Sequence, residues 1–177
     1  MRSLYTIALW VTLPAMLLFF SCDKMDVNEE FELKATIEVQ GSNAQFVGED
    51  LLDALSQSDQ IDKYASHIKS IEITEVKYLV TYLGGSSSQQ ITTGTLEVAH
   101  ADGSEAMVIS TVNNMNLMQA MTEGAFVFDQ VAIDTLAGLI KDDPHQAMIY
   151  LRGEVNETPV DFTVVVKFTV KMVAEVI

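Results

Sequence analysis

The sequence predicts a mainly β domain: an antiparallel β-sandwich of about six strands, with short helices that cap or connect its sheets. Three observations carry this. Val160, Phe162, Val164, Val166, Phe168, Val170 and Met172 alternate with mostly polar partners, the period-two pattern of a half-buried strand. Ala101-Asp102-Gly103-Ser104 separates two further β-prone runs and signals a hairpin. The links between strand runs are mostly short, which favours antiparallel neighbours folded into two packed layers. The same pattern also allows an α+β fold with helices on one face of an antiparallel sheet.

Taken in order, Phe31, Leu33, Ala35, Ile37 and Val39 alternate with Glu32, Lys34, Thr36, Glu38 and Gln40, so the first run reads as a strand. Gly41 to Gly48 reads as a loop. Glu49 to Lys69 has helical spacing, with Leu51, Leu52 and Leu55 on one face and Ile61, Tyr64, Ala65 and Ile68 on another. The polar Gln57 to Gln60 breaks it into two short helices, the second capped by Ser58 or Asp59. Ile71 to Leu83 is a strand whose parity slips: Ile71 and Ile73 share one parity, and Val76, Tyr78, Val80 and Tyr82 the other. A bulge near Thr74 and Glu75 would bring both sets to one face.

Gly84 to Gln90 is a flexible loop, and Ile91 to Ala99 pairs with Glu105 to Val112 across the hairpin turn. Asn113 to Thr122 reads as a short helix ending near Gly124. A second helix covers Asp129 to Lys141, with Phe128, Val131, Ala132, Thr135, Leu136, Leu139 and Ile140 on one face and Pro144 beyond its end. Ala147 to Val155 is a strand, Asn156 to Pro159 a turn, and the last strand follows. The element order hints at a duplicated half, but no matching residues support it.

The N-terminus carries an address. Arg2 precedes an apolar run from Leu4 to Phe20, broken mildly by Thr6, Thr12 and Pro14, and Ser21 stands just before the single cysteine, Cys22. The run sits at the short edge of what spans about 30 Å of hydrocarbon. Its flanks favour cleavage, so residues 1–21 read as a secretory signal. Ser21-Cys22 resembles the cleavage site of a bacterial lipoprotein, with Phe19 where such signals usually carry Leu. The resemblance implies that Cys22 is the lipid attachment site and the mature N-terminus, so the chain contacts the membrane through an N-terminal lipid. Residues 22–30 then read as an acidic tether and 31–177 as one β-rich domain.

The acidic residues after Cys22 resemble surface-export signals of Bacteroidota lipoproteins. Asp23 alone resembles an inner-membrane retention signal of enterobacterial ones. The expected location is the cell envelope, at the outer membrane.

Further residues carry a family resemblance. Tyr64-Ala65-Ser66-His67-Ile68-Lys69-Ser70-Ile71-Glu72-Ile73, then Val76-Lys77-Tyr78, and Asp161-Phe162-Thr163-Val164-Val165-Val166 look like small Bacteroidota lipoproteins with β-sandwich domains. The resemblance covers about residues 60–177. It implies fold and location, with no catalytic residues and no cofactor.

Composition narrows the chemistry. The chain has 25 acidic and 10 basic residues, a formal net charge of −15, and all the acidic residues follow the signal. Such a field repels nucleic acid and anionic headgroups. With Cys22 spoken for, disulfides, zinc–thiolate sites and cysteine nucleophiles are excluded from the domain.

Met115, Met118 and Met121, spaced by three on the expected helix, form a candidate Cu(I) site of soft thioethers; the competing reading is that they fill gaps beneath the helix. Asp142, Asp143 and His145 offer a weaker divalent-ion site at a helix stop. Asp26, Asn28 and Glu30 mimic the start of a calcium loop, but Phe31 stands where glycine is needed. Ser66 to Lys69 fits S-x-x-K without its companion motifs, and G-x-S-x-G, H-E-x-x-H and a phosphate loop are absent from the sequence.

His67, His100 and His145 read as surface or turn residues, and Asn156-Glu157-Thr158 as a turn rather than a sequon. Tyr78 and Tyr82 could face a sugar, but their apolar neighbours Val76 and Val80 favour the core. The expected function is a non-enzymatic, membrane-anchored envelope module that binds a protein or glycan. The alternatives are an exported copper carrier and a small envelope hydrolase.

Overall fold

The C-terminal alternation builds the element around which the rest is arranged. In the computed structural model, which describes residues 25–176, the last strand, β8, runs Val160–Val176. Val160, Phe162, Val164, Val166, Phe168, Val170, Met172 and Ala174 are all buried on one face. The first strand, β1 (Met25–Gly41), pairs with β8 over its whole length, from Met25 opposite Val176 to Gly41 opposite Val160. On the other side lies β3 (Ile68–Leu83), with Ile68 opposite Ala174 and Leu83 opposite Phe162.

The first sheet has the order β1-β8-β3-β6, where β6 is the two-residue strand Gly124–Ala125. The second has the order β2-β7-β4-β5, from β2 (Gln45–Asp53), β4 (Gln90–Ala99), β5 (Met107–Asn116) and β7 (Gln146–Val155). Every pairing is antiparallel. The two sheets make the expected β-sandwich, with eight strands rather than about six.

The core is the meeting of the two inner faces. Leu33, Ala35, Ile37 and Val39 of β1 and the β8 row face Leu52, Leu96, Val98, Ile149 and Leu151 of the other sheet, all buried. Phe46 of β2 meets Phe162 of β8 edge to face, with centroids 5.5 Å apart, an arrangement favoured by the ring quadrupoles. Next to it β2 crosses close over β1 at Gly48. A Cβ there would lie 2.5 Å from Ile37 Cγ2, so only glycine lets the strands approach.

Three short helices fill the gaps. α1 (Ala54–Gln57) is capped by Asp53, and α2 (Asp59–Tyr64) by Ser58, whose hydroxyl accepts from Ile61 N at 3.3 Å. α3 (Gln130–Lys141) starts where Asp129 accepts from Ala132 N at 3.1 Å, and it packs against β3 of one sheet and β4, β5 and β7 of the other.

Several expectations change. The residues 25–30 assigned to the acidic tether are strand, paired with Val176 to Lys171 of β8. Their charges look solvated in sequence, but the ladder uses only their backbones. Residues 1–24, with the signal, Ser21 and Cys22, lie outside the described residues.

The expected loop shrinks to residues 42–44: Gly41 ends β1, and Gln45–Asp53, with the expected helix start at Glu49, is β2. Its inward-facing parity was hidden because Gly48 has no side chain and Asp50 turns its carboxylate to another strand. The bulge between Ile73 and Glu75 is present, and a further register shift between Val80 and Tyr82 turns Tyr82 out to solvent. The buried face of α3 is Ala132, Ile133, Leu136, Ala137 and Ile140, rotated from the expected one, so that Val131 is exposed.

The expected helix over Asn113 to Thr122 is absent. β5 continues to Asn116 and only Gln119–Met121 forms a 3₁₀ turn.

Truncating a ring at the centre of β8 tests this core. Phe168→Ala should lower the unfolding free energy by roughly 3–5 kcal/mol in urea titration, as expected for a fully buried aromatic. A loss below about 1 kcal/mol would place that face in solvent.

Candidate functional site

A sandwich leaves strand edges along its two sides, and here they are treated differently. On one side the free edge of β1 is taken up by side chains. The Gln57 carboxamide accepts from Lys34 N at 2.8 Å and donates to Lys34 O at 2.9 Å, and Asp50 accepts from Thr36 N at 2.6 Å. On the other side the connection from β5 to α3 crosses between the sheets. Gly124 and Ala125 pair with Tyr78 and Lys77 of β3, and Phe126 N donates to Val76 O. Further on, Ser110 Oγ donates to Val127 O and Asp129 N to Ile109 O, each at 2.7 Å.

This bridge covers only the first half of β5. Between it and the stretch Thr111–Asn116 lies a cleft of about 490 Å³. Thr111, Asn113, Asn114, Asn116 and Gln119 supply its polar wall; Tyr78, Met115 and Phe126 supply apolar surface. The Tyr78 and Phe126 rings pack on each other with centroids 4.6 Å apart.

None of the residues lining the cleft is charged, in a chain with 25 acidic and 10 basic residues. Beneath Tyr78, Met115 and Phe126 is a small wholly apolar space of about 10 Å³, walled also by Val80, Leu117 and Phe162.

Local sequence explains the wall. Asn114 adopts a left-handed backbone (φ 51°), a conformation asparagine tolerates better than most residues. Asn116 Oδ1 then accepts from Gln119 N at 2.9 Å and starts the 3₁₀ turn. Glu123, just before the Gly124–Ala125 bridge and outside the cleft lining, is ion-paired to Lys167 of β8 and to Lys77 of β3, the latter at 3.8 Å. The hydrogen bond from Lys167 holds the Glu123 carboxyl below its ordinary value of 4.5, and the charges of Lys167 and Lys77 add to this. A depressed carboxylate contributes stability above its ordinary pKa and loses it as pH falls through the lowered one. The pinning is therefore complete at neutral pH and released in acid.

The residues singled out in the sequence fall as follows. Met115 is half-buried in the cleft, while Met118 and Met121 are 47% and 43% exposed on the 3₁₀ turn. With no helix there, the three do not share the helical face on which the copper candidate rested. Asp142 and Asp143 are exposed, but His145 is buried: its Nδ1 lies 2.8 Å from Ile140 O, and its carbonyl accepts from Ala54 N. It closes the turn after α3, its N–H donating to Asp142 O at 2.7 Å, and ties the end of α3 to the start of α1; of the two expected settings, surface or turn, it takes the turn, buried.

Among the described residues no group of three or more His, Cys, Asp or Glu side chains is placed to hold a metal ion. Lys69 pairs with Asp26, so the end of the S-x-x-K match is spent on holding β1. Tyr82 donates to Asp161 Oδ2 at 3.1 Å and is exposed, not core. Asn156 is a turn residue, accepting from Gln90 N at 2.7 Å.

Sequence reasoning missed Asn113, Asn114, Asn116, Gln119 and Phe126 as one site. The available signal was Met107 to Asn116, ten residues without a charge in a strongly acidic chain.

No protein-family model and no curated protein sequence matches this chain. Among solved structures it is similar to that of turnip yellow mosaic virus, with 9% identity and a TM-score of 0.39, covering 87% of this chain and 96% of that one. It is also similar to that of desmodium yellow mottle tymovirus, with 9% identity and a TM-score of 0.34, over 100% and 93%. The empty head of turnip yellow mosaic virus gives 11% identity and a TM-score of 0.38, over 99% and 92%. At these scores the likeness says nothing about activity.

Glu123→Gln should leave the thermal midpoint nearly unchanged, as for exposed ion pairs, while speeding hydrogen exchange at residues 122–126. Wild type should show the same loss of protection, measured relative to the intrinsic exchange rate at each pH, on acidification below the ordinary carboxylate range. Unchanged exchange in both would mean that the ion pairs do not hold the wall.

Proposed function

We propose that this chain is a lipid-anchored module of the bacterial envelope that binds an uncharged segment of a protein partner and catalyses nothing. The observation that carries the reading is the cleft beside β5, without one charged lining residue in a chain of net charge −15. A wall of carboxamides and hydroxyls over apolar surface suits a ligand that hydrogen-bonds without carrying charge. A protein segment fits it better than a glycan, because the Tyr78 and Phe126 rings pack on each other instead of offering free faces to a sugar.

The anchor supports the same reading. If Cys22 carries the lipid, it lies three residues before Met25, a reach of at most about 11 Å. The end of the sandwich holding Met25 and Val176 then stands on the bilayer. Tyr78 lies opposite Val166, ten residues up β8 from Val176, which lifts the cleft about 33 Å from that end. The cleft thus faces the space where envelope proteins are reached.

Site-specific photo-crosslinking in the native host tests this. A photoreactive residue at Gln119 should give one dominant protein adduct, and one at Thr169, on the outer face of the first sheet, should give none. The Gln119 adduct should collapse to background when Cys22→Ala releases the protein from the membrane fraction. Equal adducts at the two positions, or none at Gln119, would contradict the reading.

A further inference from the structure

We infer that the outer edge of β5, from Thr111 to Asn116, receives an extended uncharged peptide segment of the partner as an added β-strand. This rests on the cleft being a protein-binding site and names how the ligand is held.

β5 ends the order of its sheet, so the backbone groups along its outer edge have no strand neighbour among the described residues. An open edge is a template for another strand, and proteins ordinarily blunt it with charge, proline or a cover. The contrast with β1 is informative. There the Gln57 carboxamide performs the two-bond exchange that a paired residue would make with Lys34, and Asp50 occupies the next amide. The first half of β5 is likewise covered, where Asp129 N binds Ile109 O. The second half has neither cover nor charge nor proline, and it forms one wall of the cleft.

Charge selects the occupant. A charged segment entering the cleft would lose hydration and meet no counter-charge among the lining residues, a cost that an uncharged one avoids. Main-chain bonds to the edge would supply affinity, and side chains of the added strand would point alternately in and out. One inward position lies over Tyr78, Met115 and Phe126, above the small apolar space, so an apolar side chain belongs there. Met115 is unbranched and adaptable, suited to shifting around such an anchor. The kink at Asn114 keeps the added ladder short, about four to six residues or roughly 13–20 Å.

The probe is a phage-displayed library of uncharged peptides of about eight residues, long enough to cover this edge. It is panned on the full-length lipoprotein in detergent micelles. The best peptide is resynthesised with a single backbone N-methyl group moved along its length. Strand addition predicts an alternating profile: affinity falls by roughly tenfold or more, at least about 1.4 kcal/mol, at every second residue and by less than about twofold between them. The exposed pair Asn113→Asp and Gln119→Glu should abolish binding while leaving the circular dichroism spectrum and thermal midpoint unchanged. Binding that is lost in this variant but shows no alternation would overturn strand addition and leave the cleft reading standing. No peptide responding to the variant would overturn both.

Discussion

The structure depends on the inward row of β8. Eight buried apolar side chains in strict alternation fix which face of that strand is core, and a one-residue slip would send every one of them into water. β1 and β3 take their register from it along most of their lengths. The second sheet then closes over the same row, with Phe46 against Phe162 and glycine at position 48 allowing β2 to come close to β1.

What this core leaves over explains where binding is expected. With β8 central, β1 becomes an outer strand, and its exposed edge is quenched by Gln57 and Asp50. The opposite side is closed by the 117–129 connection, which reaches both sheets but covers only part of β5. The remaining edge is bordered by carboxamides, hydroxyls and two packed rings. The chain as a whole carries a formal net charge of −15, which sets up a negative field. The uncharged cleft is a gap in that field beside open backbone, and the two together point to a neutral strand as its occupant.

Much of the fold could be read from the residues because burial there follows a simple period. The β8 row, the hairpin at Asp102-Gly103, the bulge near Thr74 and the Ser58 cap are all local patterns with a local cause. The failures share a different cause. β2 was missed because Gly48 and Asp50 serve β1, a strand of the other sheet, and neither looks like core. Residues 25–30 read as tether because their pairing with β8 involves the backbone alone. The cleft was invisible for the same reason: Asn113, Asn116 and Phe126 become neighbours only when the connection folds back onto β3. The methionine spacing misled because a three-residue repeat means one face only on a helix, and here β5 runs on to Asn116 with only the turn Gln119–Met121 after it.

The central claim, that β8 is the closed centre of the molecule and the second half of β5 its open edge, is tested most directly by residue-level hydrogen exchange on the intact protein. The account predicts that Val164, Val166 and Phe168 exchange only through global unfolding, while the amides of Thr111–Asn116 that point away from β4 exchange from the folded state at nearly the rate of an unprotected peptide. Protection of those β5 amides equal to that of β8 would mean that the edge is already covered, and the proposed strand addition would fail.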